Sequence, residues 1–144
     1  MQINIIIGDK HQIYREGLIK LLKQAKNITV TEQAENMEDL VSKVQMLNPD
    51  LILIDTKLSD DIGCIVSGIQ KINNNNPLCR IIALALHADG KDIRAVIKAG
   101  VSGFISKKSN YHQLYDSIIQ VYSGKYYFCD ETLNILVKNC AIQG

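Results

Sequence analysis

Asp9 and Asp55 are the residues of this chain best placed for chemistry. Each closes an apolar run: Ile3-Asn4-Ile5-Ile6-Ile7-Gly8 leads into Asp9, and Leu51-Ile52-Leu53-Ile54 leads into Asp55. Short, mostly β-branched runs bounded by polar turn residues predict buried strands. Two carboxylates then stand where two strands end, the edge of an open α/β sheet at which ligands and chemistry are found. His11 and His87 fall near the same edge and with Asp9 offer donors for a transition metal. In such loops, however, histidines are more commonly surface or hydrogen-bonded residues.

The elements that must hold these residues alternate along the chain. After the first strand, Ile13, Gly17, Leu18, Leu21 and Leu22 recur at helical spacing to about Lys26, and a short strand follows over Ile28 to Thr31. Asn36-Met37-Glu38-Asp39 has the shape of a capping box. It opens a helix with an apolar face of Leu40, Val41, Val44 and Leu47, which Asn48-Pro49 ends because a residue preceding proline is pushed out of the helical region. Beyond Asp55 a helix is predicted over Ile62 to Ile72, with the asparagine run to Pro77 as a breaker. A fourth strand spans Ile81 to Leu86, and Asp89-Gly90 turns into a helix over Asp92 to Ala99 that Gly100 caps. A fifth strand, Gly103 to Ser106, ends at Lys107, and a helix over Tyr111 to Tyr122 stops near Gly124. Long parallel-sheet runs with crossover helices predict a doubly wound five-stranded parallel sheet of order 2-1-3-4-5, flavodoxin-like, with residues 1–124 as the domain. In that order the ends of the first and third strands are neighbours. Residues 125–144 hold one further short helix, from about Asp130 to Asn139.

Composition narrows the function classes. A chain of 144 residues with 47% hydrophobic and 22% charged residues is one ordinary globular domain. A net charge of +1 points to neither a nucleic-acid nor a membrane surface. Met1-Gln2-Ile3-Asn4 does not read as a signal peptide, and no apolar run approaches a membrane span. Cys64, Cys79, Cys129 and Cys140 lack C-x-x-C spacing; three of them adjoin apolar residues and are read as small core or half-buried side chains, in a reducing, cytoplasmic setting. No Gly-rich phosphate loop precedes a helix. Asp55-Thr56-Lys57 is not the D-x-D of aspartate-dependent phosphatases, and Asp9-Lys10-His11 fails the cobalamin pattern D-x-H-x-x-G because Tyr14 stands at its glycine. No enzyme motif remains.

Three stretches carry a specific resemblance: Gly8-Asp9-Lys10-His11-Gln12-Ile13-Tyr14-Arg15-Glu16-Gly17-Leu18, Pro49-Asp50-Leu51-Ile52-Leu53-Ile54-Asp55, and Ala99-Gly100-Val101-Ser102-Gly103-Phe104-Ile105-Ser106-Lys107. In order and spacing, nearly the whole chain resembles the receiver domain of bacterial two-component response regulators of the NarL/FixJ (LuxR-type) group, which has the CheY-like fold. The resemblance implies phosphorelay signal transduction with Asp55 as phosphoacceptor and Asp9 in the acidic pocket. It makes Lys107 the phosphoryl-contact lysine, and Ala85 and Phe104 the switch positions. If Mg²⁺ binds, Asp9, Asp55 and the Lys57 backbone carbonyl would hold it. A carboxylate attacking a phosphoryl group needs charge neutralised in just this way.

Two positions depart from that pattern. Lys10 stands where the second acid, a direct metal ligand, is expected, and Ala85 lacks the usual hydroxyl. Phe104 keeps the ring of a frequent tyrosine. Counting Asp9 and Asp55 against Lys10 and Lys107 makes the pocket neutral without metal, so no cofactor is expected and Mg²⁺ binding is weakened by Lys10. The expectation is a Lys10 ammonium beside Asp55 or Asp9; the alternative is a side chain turned to solvent over a weak metal site. The resemblance also implies a histidine kinase as partner, a homodimer with Tyr115 and Tyr122 as candidate contacts, and transcription regulation through a DNA-binding helix-turn-helix domain beyond residue 144. A fragment of a transcription factor and a stand-alone receiver both fit. The competing function is a phosphorylation-independent pseudo-receiver serving as a protein-interaction module.

Overall fold

The computed structural model describes residues 1–87 and 90–143, with side chains described through Lys138. The turn predicted at Asp89, the side chain of Cys140 and residue Gly144 lie outside the described residues. The elements in order are β1 (Ile3–Gly8), α1 (Gln12–Leu22), β2 (Ile28–Ala34), α2 (Met37–Leu47), β3 (Leu51–Asp55), α3 (Ile62–Asn75), β4 (Arg80–Ala85), α4 (Gly90–Ala99), β5 (Gly103–Ser106), α5 (Tyr111–Tyr122), β6 (Tyr127–Phe128) and α6 (Asp130–Gln143). The sheet runs β2-β1-β3-β4-β5-β6 with every neighbouring pair parallel. The five-stranded core has the expected order, and β6 adds a short sixth strand beside β5.

Strand residues alternate between two cores, which is why their sequences are continuously apolar. Ile6, Ile52, Ile54, Ile81 and Ala83 pack against Leu40 and Val44 of α2, Ile65 and Ile69 of α3, and Ile93 and Val96 of α4. Ile5, Ile7, Leu51, Leu53, Ile82 and Leu84 face the other way, onto Leu18 and Leu22 of α1 and Leu114, Ile118 and Val121 of α5. Register then aims the strand ends: Gly8 lies opposite Ile54, so Asp9 stands abreast of Asp55.

Helix ends follow local chemistry where partners are near in sequence. The Asn36 side chain accepts from the Asp39 amide, Asn48 caps α2 in the left-handed region (φ 51°), and Asn110 with Gln113 forms a complete capping box on α5. Three expectations need correction. Helix α1 stops at Leu22 instead of about Lys26, because Lys23 and Gln24 close it with amide bonds to Ile19 and Leu21. Strand β2 runs on to Ala34, paired with Gly8 at the far end of β1. The asparagine run does not break α3, which continues to Asn75. There Asn73 Nδ2 donates to the Ala99 and Gly100 carbonyls at the end of α4, and Asn76 Nδ2 donates to Asn48 Oδ1. Tertiary hydrogen bonds outweigh the weak helix propensity of asparagine.

Of the cysteines, Cys79 is buried, Cys129 half-buried and Cys64 exposed, and all three are free thiols. Burial, with a smaller contribution from Asp50, pushes the Cys79 thiol up to about 12. No helix among the described residues is long and apolar enough to cross a membrane.

Candidate functional site

Three residues meet at the C-terminal edge of the sheet because β1, β3 and β5 all end there. The Lys107 ammonium donates to Asp9 Oδ2 at 2.6 Å and to Asp55 Oδ2 at 2.9 Å. All three side chains are buried, at 2%, 3% and 8% exposure for Asp9, Asp55 and Lys107. The other oxygens accept main-chain amides two residues on: His11 N–H donates to Asp9 Oδ1 at 2.8 Å, and Lys57 N–H to Asp55 Oδ1 at 3.0 Å. Each carboxylate thus organises its own loop while sharing one cation. Buried charge of this kind is tolerable only when paired and hydrogen-bonded.

Residues of α1 support the triad, and the sequence reading had not singled them out. The Tyr14 ring lies under the Lys107 ammonium, 4.1 Å from nitrogen to ring centroid, a cation–π contact. Burial first, then the charges of Asp9 and Asp55, push the Tyr14 hydroxyl up to about 12. Arg15, buried, donates from Nη1 to the Asp9 carbonyl at 2.5 Å and from Nε to Gln33 at 2.7 Å. Its place one turn into α1 carries no periodic signal that separates it from a surface arginine.

Lys10 is a correction. Its ammonium pairs with Asp60 at 3.1 Å, on the loop after β3, and makes no ion pair with Asp9 or Asp55 among the described residues. The bridging position is taken by Lys107, and the long stem of Lys10 reaches an exposed partner instead. The pocket is therefore not neutral: Asp9, Asp55 and Lys107 sum to one negative charge. The expectation of a Lys10 ammonium standing in for a metal ion is overturned.

Above the triad opens a cavity of ≈ 550 Å³ lined by His11, Tyr14, Asp55, Lys57, Leu86, His87 and Lys107. Of the two histidines, His11 comes to the carboxylates, with Nδ1 3.3 Å from Asp9 Oδ1. Asp9, His11 and Asp55 offer ligand atoms all within 4.8 Å of one another, a grouping able to hold a metal ion. Relative to the pattern expected for Mg²⁺, this donor set lacks the carboxylate at position 10, and the imidazole of His11 stands beside the two that remain. Two carboxylates are a thin oxygen set for that ion.

Ala85 and Phe104 lie on the far side of β4 and β5, both buried. A small cavity of ≈ 20 Å³ between them is closed by Glu131, Thr132 and Ile135 of α6. The Phe104 carbonyl accepts from the Cys129 amide at 3.2 Å and from the Thr132 hydroxyl at 3.5 Å. Tyr115 and Tyr122, candidates for surface contacts, are half-buried against the α1–α5 core, and the Tyr115 hydroxyl donates to Asn27. The exposed apolar residues of that side are Ile13 and Leu21 on α1, beside a groove shared with α5.

Parallel order 2-1-3-4-5, with the carboxylates at the ends of β1 and β3 bridged by a lysine after β5, defines a doubly wound domain with an acidic site at its switch point. The chain matches the response regulator receiver domain over residues 5–119 and belongs to that family. It is 28% identical over 137 residues to the transcriptional regulatory protein DegU of Brevibacillus brevis, covering 95% of this chain and 57% of DegU. It is 30% identical over 122 residues to the transcriptional regulatory protein LnrK of Bacillus subtilis (strain 168), covering 85% and 54%. The chain thus spans little more than half the length of these curated relatives. Among solved structures, a LuxR-family two-component response regulator from Aurantimonas sp. SI85-9A1 matches with a TM-score of 0.89 at 20% identity, over 98% of this chain and 99% of that one. The isolated REC domain of RcsB from Salmonella enterica serovar Typhimurium matches at 0.83 and 23% identity, over 94% and 99%. These structural likenesses concern the fold.

Proposed function

We propose that this receiver accepts a phosphoryl group on Asp55 and serves as the regulatory part of a two-component transcription regulator. The observation that carries the reading is the single buried ammonium shared by Asp55 and Asp9 beneath an open cavity. An Asp55 oxygen attacks the phosphorus of a phosphohistidine on a partner kinase. The new P–O bond forms as the P–N bond breaks, and the imidazole leaves with its electron pair. Lys107 neutralises charge gathering on the phosphoryl oxygens, and the Lys57 amide holds the carboxylate in place. Asp9 keeps Lys107 in the pocket. A dication held by Asp9, Asp55 and the Lys57 carbonyl would add positive charge at the same point. Weakened Mg²⁺ affinity on this reading comes from the carboxylate missing at position 10, since the Lys10 ammonium is engaged by Asp60.

Ala85 offers no hydroxyl to sense the phosphoryl group. Coupling to Phe104 must then pass through the main chain, where the Lys107 amide donates to the Ala85 carbonyl at 2.8 Å. The relatives named as transcriptional regulators support DNA binding through a domain outside residues 1–144, with residues 125–144 leading towards it. A histidine kinase partner, homodimer formation, a non-enzymatic role and a cytoplasmic setting belong to the same proposal. The test is incubation of the chain with acetyl phosphate and Mg²⁺, followed by mass spectrometry of intact protein and peptides. One phosphoryl increment mapping to Asp55 and lost in Asp55→Asn is expected; an unmodified chain would favour a phosphorylation-independent interaction module.

A further inference from the structure

We propose that Asp9, His11 and Asp55 form a site for a borderline transition-metal dication such as Zn²⁺, with the His11 imidazole as the nitrogen donor that sets its preference over Mg²⁺. The imidazole is already aimed. His11 occupies the N-cap position of α1, yet its side chain makes no capping hydrogen bond; it turns to the Asp9 carboxylate instead, at 3.3 Å from Nδ1 to Oδ1. That separation is the edge of a tetrahedron drawn with metal–ligand bonds of about 2.0–2.1 Å, roughly 3.3 Å. The His11 main-chain amide anchors the same oxygen, so backbone and side chain together hold the ring over it. An oxygen accepting one N–H keeps a second lone pair for a metal. Asp55 completes the trio from below, with all three ligand atoms within 4.8 Å.

Charge and access agree with this donor set. Once Lys10 is committed to Asp60, the buried triad of Asp9, Asp55 and Lys107 retains one net negative charge, so an arriving cation meets an attractive site. The His11 side chain is 62% exposed and lines the cavity over the site, so an ion reaches it without unfolding. Selectivity follows from ligand chemistry. Mg²⁺ demands hard oxygen ligands and keeps its waters, whereas Zn²⁺ and its neighbours bind imidazole well. With no carboxylate at position 10 and a reachable imidazole at position 11, the donor set suits the second kind of ion better than the first. The inference rests on this geometry and stands whether or not Asp55 accepts a phosphoryl group.

Competition of the full chain against a chromophoric chelator tests it, with Zn²⁺ and Mg²⁺ titrated separately. One Zn²⁺ per chain is expected, bound at least about tenfold more tightly than Mg²⁺. His11→Ala should weaken Zn²⁺ by about tenfold or more while leaving Mg²⁺ nearly unchanged, and His112→Ala, on α5, should change neither. Co²⁺ gives an independent readout: visible ligand-field absorption of a nitrogen-containing site, lost in His11→Ala. His11→Asn serves as the second variant, with circular dichroism checking the fold of both. Zn²⁺ affinity unchanged in both His11 variants, or no tighter than Mg²⁺ in the unaltered chain, overturns the proposal and leaves His11 a hydrogen-bond partner of Asp9. The phosphoryl mass increment on Asp55 is read separately, so either proposal fails without the other.

Discussion

The Lys107 ammonium is the only cation bridging two buried carboxylates among the described residues, and its removal should be felt at once. Lys107→Ala leaves Asp9 and Asp55 facing each other unpaired, a loss of about 3–5 kcal/mol for a broken buried pair. Urea unfolding at neutral pH measures it. Adding Asp55→Asn to Lys107→Ala should recover at least about 1 kcal/mol, because one of the two stranded charges is gone. Lys10→Ala, which breaks only a surface pair with Asp60, should stay within about 0.5 kcal/mol of the unaltered chain. An equal cost for Lys10→Ala and Lys107→Ala would contradict the site geometry. Tyr14 gives a pH signature. Its hydroxyl is raised in the folded state from 10.0 to about 12, so the folded chain holds this proton more tightly than the unfolded chain. The corresponding stability is fully present below pH 10.0 and is lost as pH rises towards about 12. Tyr14→Phe should flatten that alkaline decline, read as denaturant midpoints compared across this pH range.

At the scale of elements, two glycines make opposite demands. Gly17 lies within α1, where an added Cβ meets nothing within 4 Å. Gly17→Ala should stabilise the chain by about 0.4–1 kcal/mol by reducing the freedom of the unfolded state. Gly100 follows α4 at φ +122°, and a Cβ there would stand 2.0 Å from Asn73 Nδ2, the group that ties α3 to the end of α4. Gly100→Ala should therefore destabilise, by more than Gly17→Ala stabilises. Thermal unfolding of the two variants side by side reads the sign. The elements around the site share this logic: α1 supplies Tyr14 and Arg15 from its first turns, and its exposed Ile13 and Leu21 are free for function because Leu18 and Leu22 do the packing.

For the molecule as a whole, the sheet does not stop at β5. Strand β6 pairs with Gly103 and Phe104, and α6 lies on α4 and β5 with Ile135 and Leu136 against the Phe104 core. A chain ending at residue 124 would open the β5 edge and uncover that core. The expected loss is about 2–4 kcal/mol, the burial value of one or two large apolar side chains, read as a lower denaturant midpoint. A midpoint unchanged on truncation would mean that residues 125–143 only lie on the surface.

Which features were legible in the sequence depends on how far each residue's partner lies along the chain. Apolar runs closed by Asp9 and Asp55, helices punctuated by Pro49 and Gly100, and Lys107 after the last core strand are all local signals. Parallel-sheet geometry turns those signals into one order and one edge. The sixth strand was not legible because Tyr127 and Phe128 are too few for any period to show. The asparagine run reads as a breaker until Asn73 finds the α4 carbonyls, which only folding brings near. Lys10 and Lys107 are the same residue type with the same four-carbon reach, and composition counts them alike. Tertiary structure alone decides that one bridges two buried carboxylates while the other turns to Asp60, and that His11 faces Asp9. A flexible side chain takes the partner within its radius, and that partner is set by the packing of loops distant in sequence.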